Sequence, residues 1–434
     1  MRAGYGKYEI TPPMGVELGG YGYYLERKAQ SVLDPLYARA VMLEDGGRRS
    51  LIISCDLLGL SDTVCAGVFD RVAPLGIAPD DVMLVSVHTH TGPVVKDHEG
   101  CGVPDENYVA GLAEKISRAA ELAADDLDEV TGLSFFSREL GGGAATEKKG
   151  DAAGRLKHGF ATPGAGSGYI YNRAIQDGPV DGTARGFVIA RGSAPAIAVS
   201  NAACHAVFNA VIPDVSADYP GAVNRRVDAT GRRSIFLNGA CGDIDPAEKK
   251  REAREAFAEA IAGVFSGEGR PLPLTIKSGA IPFELKTVVM TRGERHAAVE
   301  ASVARAGGAD KPAARPALVW EKNMLAREGE LTGREAIRAR YVILGGVPIV
   351  SMPFEGYTRI GQIIREITGR ADALVLGCQE EMLGYLPTKD DIAQGGYAAL
   401  ESTYLYRRLP VEPGEAERLG EALGGALKTI LAEG

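Results

Sequence analysis

The sequence predicts an α/β fold on two observations: short apolar runs rich in β-branched residues, and amphipathic helical patterns lying between them. The strand-like runs are residues 51–55, 82–87, 196–203, 235–237, 341–344 and 373–376. Between the second and third, Tyr108, Leu112, Ile116 and Ala119 recur at spacings of three and four, and Asp105 stands where a helix N-cap belongs. Phe257, Ile261, Val264 and Phe265 repeat the helical pattern, as do Leu419, Leu423, Leu427, Ile430 and Leu431. Residues 141–168 are rich in Gly and Ala and predict a surface loop, and residues 304–316 predict a linker. No repeat of fixed period is present, which disfavours a solenoid or propeller.

A chain of 434 residues can bury a large core. Hydrophobic residues at 45% and charged residues at 24% are ordinary for a globular enzyme and exclude a disordered or fibrous chain. With 48 basic against 57 acidic residues the formal charge is −9, so there is no electrostatic footprint for nucleic acid or anionic membrane, and a small molecule is the expected partner. No apolar stretch is long enough to span a bilayer. Residues 1–13 lack the basic start and apolar run of a signal peptide, so cytoplasmic residence is expected. The six cysteines are scattered without CxxC spacing and read as buried thiols, neither zinc ribbon nor disulfide framework. Cys204 precedes His205, but neighbours on a strand point to opposite faces, which argues against a nucleophile pair.

The sharpest local signal is His88-Thr89-His90-Thr91-Gly92-Pro93, directly after the run 82–87. A strand delivers residues i and i+2 to one face, so both imidazoles would emerge together at a strand end. Two readings fit: a metal or acid–base site, or a pair of loop histidines satisfied by backbone groups. A metallo-β-lactamase-like site would want an Asp-His pair where Gly92-Pro93 stands, and an amidohydrolase barrel would place its HxH on the first strand. His98, His158 and His296 lie in polar contexts and read as surface residues. His205 ends the run 196–203 in the same strand-then-histidine arrangement as His88, so the two could converge on one ion. An open zinc site needs three or four protein ligands. Glu355, in Ser351-Met352-Pro353-Phe354-Glu355-Gly356, fits as a ligand or as a helix-start carboxylate.

Together these blocks resemble the catalytic N-terminal domain of the neutral, non-lysosomal ceramidase family. The matching pieces are Glu9-Ile10-Thr11-Pro12-Pro13, Gly20-Tyr21-Gly22, Leu36-Tyr37-Ala38-Arg39-Ala40, the HTHTGP block, Ile170-Tyr171-Asn172-Arg173, His205, Gly242-Asp243-Ile244-Asp245-Pro246, the Glu355 block and Gly384-Tyr385. The resemblance implies a single large domain over residues 1–434, mixed β-sheets flanked by helices, with a Zn²⁺ ion held by His88, His205, Glu355 and Tyr385. It also implies active-site roles for His90, Arg173 and Tyr397, the last standing twelve residues beyond Tyr385.

The expected chemistry is hydrolysis of an N-acyl amide by a zinc-activated water, with His90 and Tyr397 serving the oxyanion or the leaving amine and Arg173 gripping a polar part of the substrate. Ester, lactone or phosphoester hydrolysis, or a non-catalytic binding module, are the alternatives. Asp245 replaces the family's serine and is expected to cap the helix that follows. The family's C-terminal immunoglobulin-like domain and secretion signal are not seen, which points to a smaller, more polar substrate than ceramide. Asp56 and Asp218 read either as carboxylates orienting the histidines or as turn residues.

Overall fold

The computed structural model describes residues 1–140 and 168–433. His158 and nearly all of the predicted loop at 141–168 therefore lie outside the described residues. All six predicted strands are present, and they share the molecule with longer strands that alternate with polar residues. A nine-stranded mixed sheet runs in the order Arg233–Asn238, Ile197–Ala202, Thr183–Arg191, Asp128–Glu139, Arg2–Glu9, Tyr37–Asp45, Arg48–Cys55 and Val82–Ser86, with Arg270–Pro271 paired to Asp128–Glu139 off this path. A second sheet runs Ile276–Lys286, Arg334–Leu344, Val347–Ser351, Leu374–Leu376.

Period-two alternation assigns each strand face to its layer. In the large sheet Ala38, Ala40, Met42, Leu51, Ile53, Val82 and Leu84 pack on the helices Asp62–Val72 and Glu106–Asp125. The alternate set Val41, Leu43, Ile52, Met83 and Val85 shares a core with Val342, Leu344, Val347, Ile349 and Leu374 of the second sheet. That sheet turns Val350 and Val375 outward against the helices Thr358–Thr368 and Glu415–Ala432. Two sheets therefore face each other with helices outside both, so their strands are apolar on both sides and read as unbroken runs. Among the described residues no helix is long and apolar enough to cross a membrane.

Local signals behave as their chemistry requires. The Asp105 side chain accepts from the Tyr108 N–H and caps the helix Glu106–Asp125. The segment 304–316 spans the end of the helix Arg292–Ala306, a short turn and the start of Arg315–Ala326, so it joins two helices.

The large sheet curls, so that Arg233–Asn238 at one end comes against Tyr37–Asp45, Arg48–Cys55 and Val82–Ser86 at the other. Ser54 Oγ donates to the Phe236 carbonyl at 2.6 Å, and Asn238 Nδ2 donates to the Val87 carbonyl at 2.8 Å. This curl brings the segment after Val82–Ser86 next to the segment after Ile197–Ala202.

Candidate metal centre

His88 and His205 stand just beyond those two strand ends. An isolated parallel bridge between Thr89 and Ala206 joins the segments, so His88 and His90 flank the bridge on one side and His205 meets them. The three imidazoles are buried, and one nitrogen from each lies within 4.8 Å of the others, a cluster compatible with a metal ion. His88 holds φ at 65°, a left-handed backbone uncommon for a residue with a side chain.

The oxygen donors arrive on a two-rung parallel ladder in which Glu355 and Tyr385 are register partners. Glu355 Oε2 lies 3.1 Å from His88 Nε2 and 3.0 Å from His205 Nε2, and the Tyr385 hydroxyl is 3.4 Å from His205 Nε2. The ladder needs close backbone approach at Gly242, whose amide donates to Gly356 O at 2.9 Å. A Cβ there would sit 2.2 Å from the Glu355 carbonyl oxygen, a backbone atom with no room to give. Gly242→Ala is therefore expected to lower stability by about 1–3 kcal/mol and to displace Glu355. Thermal unfolding and metal stoichiometry measured on the same preparation check this, and unchanged values for both would refute it.

Both histidines that face Glu355 have fixed tautomers. His88 Nδ1 meets the Leu58 carbonyl at 2.9 Å, and His205 Nδ1 meets those of Cys241 and Ile244 at 2.7 and 3.1 Å. Carbonyls only accept, so Nδ1 carries a proton in each ring and Nε2 is the nitrogen turned to the site, the usual preparation of a ligating imidazole. Burial, with Arg173 adding to it, lowers the His205 pKa to about 4, so no second proton bridges it to Glu355. Burial works to raise the pKa of Glu355, but His88 and His205 outweigh it and hold the carboxyl well below its ordinary range. One carboxylate oxygen thus faces two imidazole nitrogens turned toward the same point, an arrangement that a cation satisfies. Donors about 2.0–2.1 Å from a tetrahedral ion stand roughly 3.3 Å apart, close to the spacings seen here. The donor set fits zinc.

His90 differs from the other two. Its Nε2 lies 3.2 Å from His88 Nε2, while its Nδ1 has no hydrogen-bond partner. Burial first, then His88 and His205, hold its pKa well below the ordinary histidine value, so it is a neutral imidazole with one nitrogen uncommitted.

Arg173 lies at the centre of the site. Its strand Ile170–Asn172 pairs with Ile244–Pro246, so two separate sequence blocks become one ladder. Its guanidinium donates to the Tyr385 hydroxyl at 2.6 Å and to His205 Nε2 at 3.1 Å, and ion-pairs with Asp245 at 3.2 Å. Tyr397 packs edge-on against Tyr385, ring centroids 5.8 Å apart.

The structure decides several expectations and corrects those for Asp245 and His98. Asp245 caps no helix: the next helix begins at Arg251, and Asp245 instead pairs with Arg173 and Lys249. Asp56 accepts from the Tyr37 amide and Asp218 from those of Asn209 and Tyr219, so both serve backbone turns while main-chain carbonyls orient the histidines. His98 is buried with its ring 4.5 Å from that of Tyr406, whereas His296 is exposed as expected. The cysteines form no disulfide, and burial pushes the Cys204 thiol far above its usual pKa, which removes it as a nucleophile.

Sequence reasoning missed three contributors. Tyr406 donates to Glu355 Oε1 at 2.5 Å, Tyr21 packs edge-on against His90, and Asp243 ties the Arg173 loop to the Glu355 segment through Asn172 and Thr358. Of these Tyr21 and Asp243, both inside recognised blocks, carried a sequence signal, and Tyr406 carried none. A separate open groove of about 630 Å³ is lined by Phe283, Ile337, Arg338, Glu380 and Leu383. None of the converging donors lines it.

Comparison with solved structures gives the fold its relatives. A crystal structure of neutral ceramidase from Pseudomonas aeruginosa matches with a TM-score of 0.70 at 16% identity, covering 100% of this chain and 74% of that one. A structure described as ceramidase complexed with C2 matches with a TM-score of 0.69, also at 16% identity, over 100% of this chain and 75% of the other. The chain therefore has the fold of the neutral ceramidases. No protein-family model and no curated protein sequence matches it.

Proposed function

We propose that this chain is a zinc-dependent hydrolase of an N-acyl amide bond, built as one catalytic domain, with the ion held by His88, His205, Glu355 and Tyr385. The observation that carries the reading is the convergence of His88 Nε2 and His205 Nε2 on one oxygen of a buried carboxylate, Glu355 Oε2, at 3.1 and 3.0 Å. The shared fold with enzymes described as ceramidases supports amide chemistry over the alternatives. When bound, the ion supplies Lewis acidity toward a carbonyl and lowers the pKa of a coordinated water toward about 7.

The chain's own groups divide the remaining work. His90, neutral and with Nδ1 uncommitted, can accept a proton at one nitrogen and release it to the leaving amine. Burial raises the Tyr397 pKa well above the ordinary phenol value, so its hydroxyl remains a donor and can stabilise charge developing on the scissile oxygen. Arg173 keeps its charge because Tyr385, Asp245 and Glu355 outweigh the cost of burial. It braces Tyr385 and offers a fixed cation to a polar part of the substrate.

Elemental analysis followed by a panel of N-acyl amides, esters, lactones and phosphoesters tests the proposal. One equivalent of zinc with turnover highest on an amide is the expected result. Preference for an ester or phosphoester would move the reading to that class, and bound zinc with no hydrolysis at all would make the chain a binding module.

A further inference from the structure

Glu355 divides its two oxygens between different partners. Oε2 faces His88 and His205, and Oε1 accepts a hydrogen bond of 2.5 Å from the Tyr406 hydroxyl. A carboxylate left to itself can close both oxygens onto a cation, and an ion already held by two imidazoles and a phenol would then lose its open position. From this geometry we infer that Tyr406 is a positioning residue: it holds Glu355 to one donor oxygen and thereby keeps a coordination position open at the centre. The inference deepens the proposed function and rests on its metal site.

The placement of Tyr406 is built in from several directions. It ends the helix Glu401–Tyr406, and Arg407 after it turns with φ at 52° to pair with Asp97 at 3.0 Å and Glu99 at 2.7 Å. The Glu99 amide donates to the Leu405 carbonyl at 3.0 Å, fixing the helix end to the segment that carries His98. His98 then lies against one side of the Tyr406 ring, its Nε2 making no hydrogen bond, so it serves as a packing surface. On another side Gly384, at φ 96°, leaves space that a Cβ would fill at 2.8 Å from the ring. Gly384 also accepts from the Glu355 amide at 2.8 Å and precedes Tyr385, so one residue sets the ring, the carboxylate and the phenol together.

Cobalt in place of zinc reports coordination directly, since its visible bands weaken with each added ligand, and the wild-type spectrum sets the reference. Tyr406→Phe keeps the ring and removes only the hydroxyl; its bands should lose intensity, and metal affinity or turnover should fall roughly 10–100-fold. Tyr404→Phe, a hydroxyl deletion in the same helix where Tyr404 meets Ser302, should leave the spectrum unchanged. Identical spectra and affinities for wild type and Tyr406→Phe would overturn the inference, as would an equal change in Tyr404→Phe. Failure of the wild type to take up any cobalt would instead overturn the metal centre itself, and the inference with it. Infrared difference spectra of wild-type protein with and without metal supply a readout that needs no variant. A wide separation of the carboxylate stretches supports one-oxygen binding and a narrow one refutes it.

Discussion

Glu355→Gln is expected to leave the protein folded, to retain roughly a tenth or less of the wild-type zinc, and to lower turnover by at least ~10³-fold. The reason lies in the charge of the donor set. His205 is held neutral, and burial keeps the Tyr385 phenol protonated until a cation arrives, which leaves Glu355 as the one standing anion among the four. A glutamine has the same size and can still accept from Tyr406, so packing is preserved while the charge that attracts the ion is removed. Plasma emission analysis and assays on the preferred substrate read the two effects together. Full zinc occupancy with wild-type turnover in this variant would remove Glu355 from the centre.

Arg173→Gln should cost stability as well as activity. Asp245 is buried, and without the guanidinium its carboxylate loses the partner 3.2 Å away, a loss of about 3 kcal/mol, at the low end for a broken buried pair because Lys249 remains at 2.9 Å. Lys249 is 40% exposed, so its compensation is screened by solvent. A second change, Asp245→Asn, should restore a large part of the loss. The pH dependence follows from the direction of the shift. Burial works to raise the pKa of Asp245, but Arg173, Lys249 and His205 outweigh it and depress the folded value. Stability from the pair is thus fully present above the unfolded aspartate pKa of about 4 and fades as pH falls through the lower folded value. The gap between wild type and Arg173→Gln should accordingly be widest at neutral pH and narrow in strong acid. Urea unfolding of the four proteins of this cycle decides the matter, and simple additivity would show that the two residues are energetically independent.

What could be read from the amino acids, and what could not, follows from where the information is stored. The strand-then-histidine pattern at His88 and His205 is local, and the strands at 82–86 and 197–202 stand where periodicity placed them. The groups that orient the histidines left no trace, because the carbonyls of Leu58, Cys241 and Ile244 are present whatever side chains those positions carry. His98 read as a surface residue because Asp97 and Glu99 flank it. Those charges pair with Arg407, more than three hundred residues later in the chain, and the imidazole between them turns inward. A helix following Asp245 suggests a cap, yet its partner lies in another sequence block brought alongside by a three-residue ladder. Tyr406 was invisible for the same reason, its hydroxyl meeting a carboxylate 51 positions earlier.

The margins of the curled sheet are not zipped by a continuous run of backbone pairing; the Ser54 and Asn238 side chains span them. An ion shared between His88 and His205 would button that seam, since each histidine extends from a strand on a different side of it. Its binding free energy would then be part of the folding free energy. Chelation would be felt first as faster breathing of the backbone around Val87 and Asn238, well before the helices outside the sheets respond.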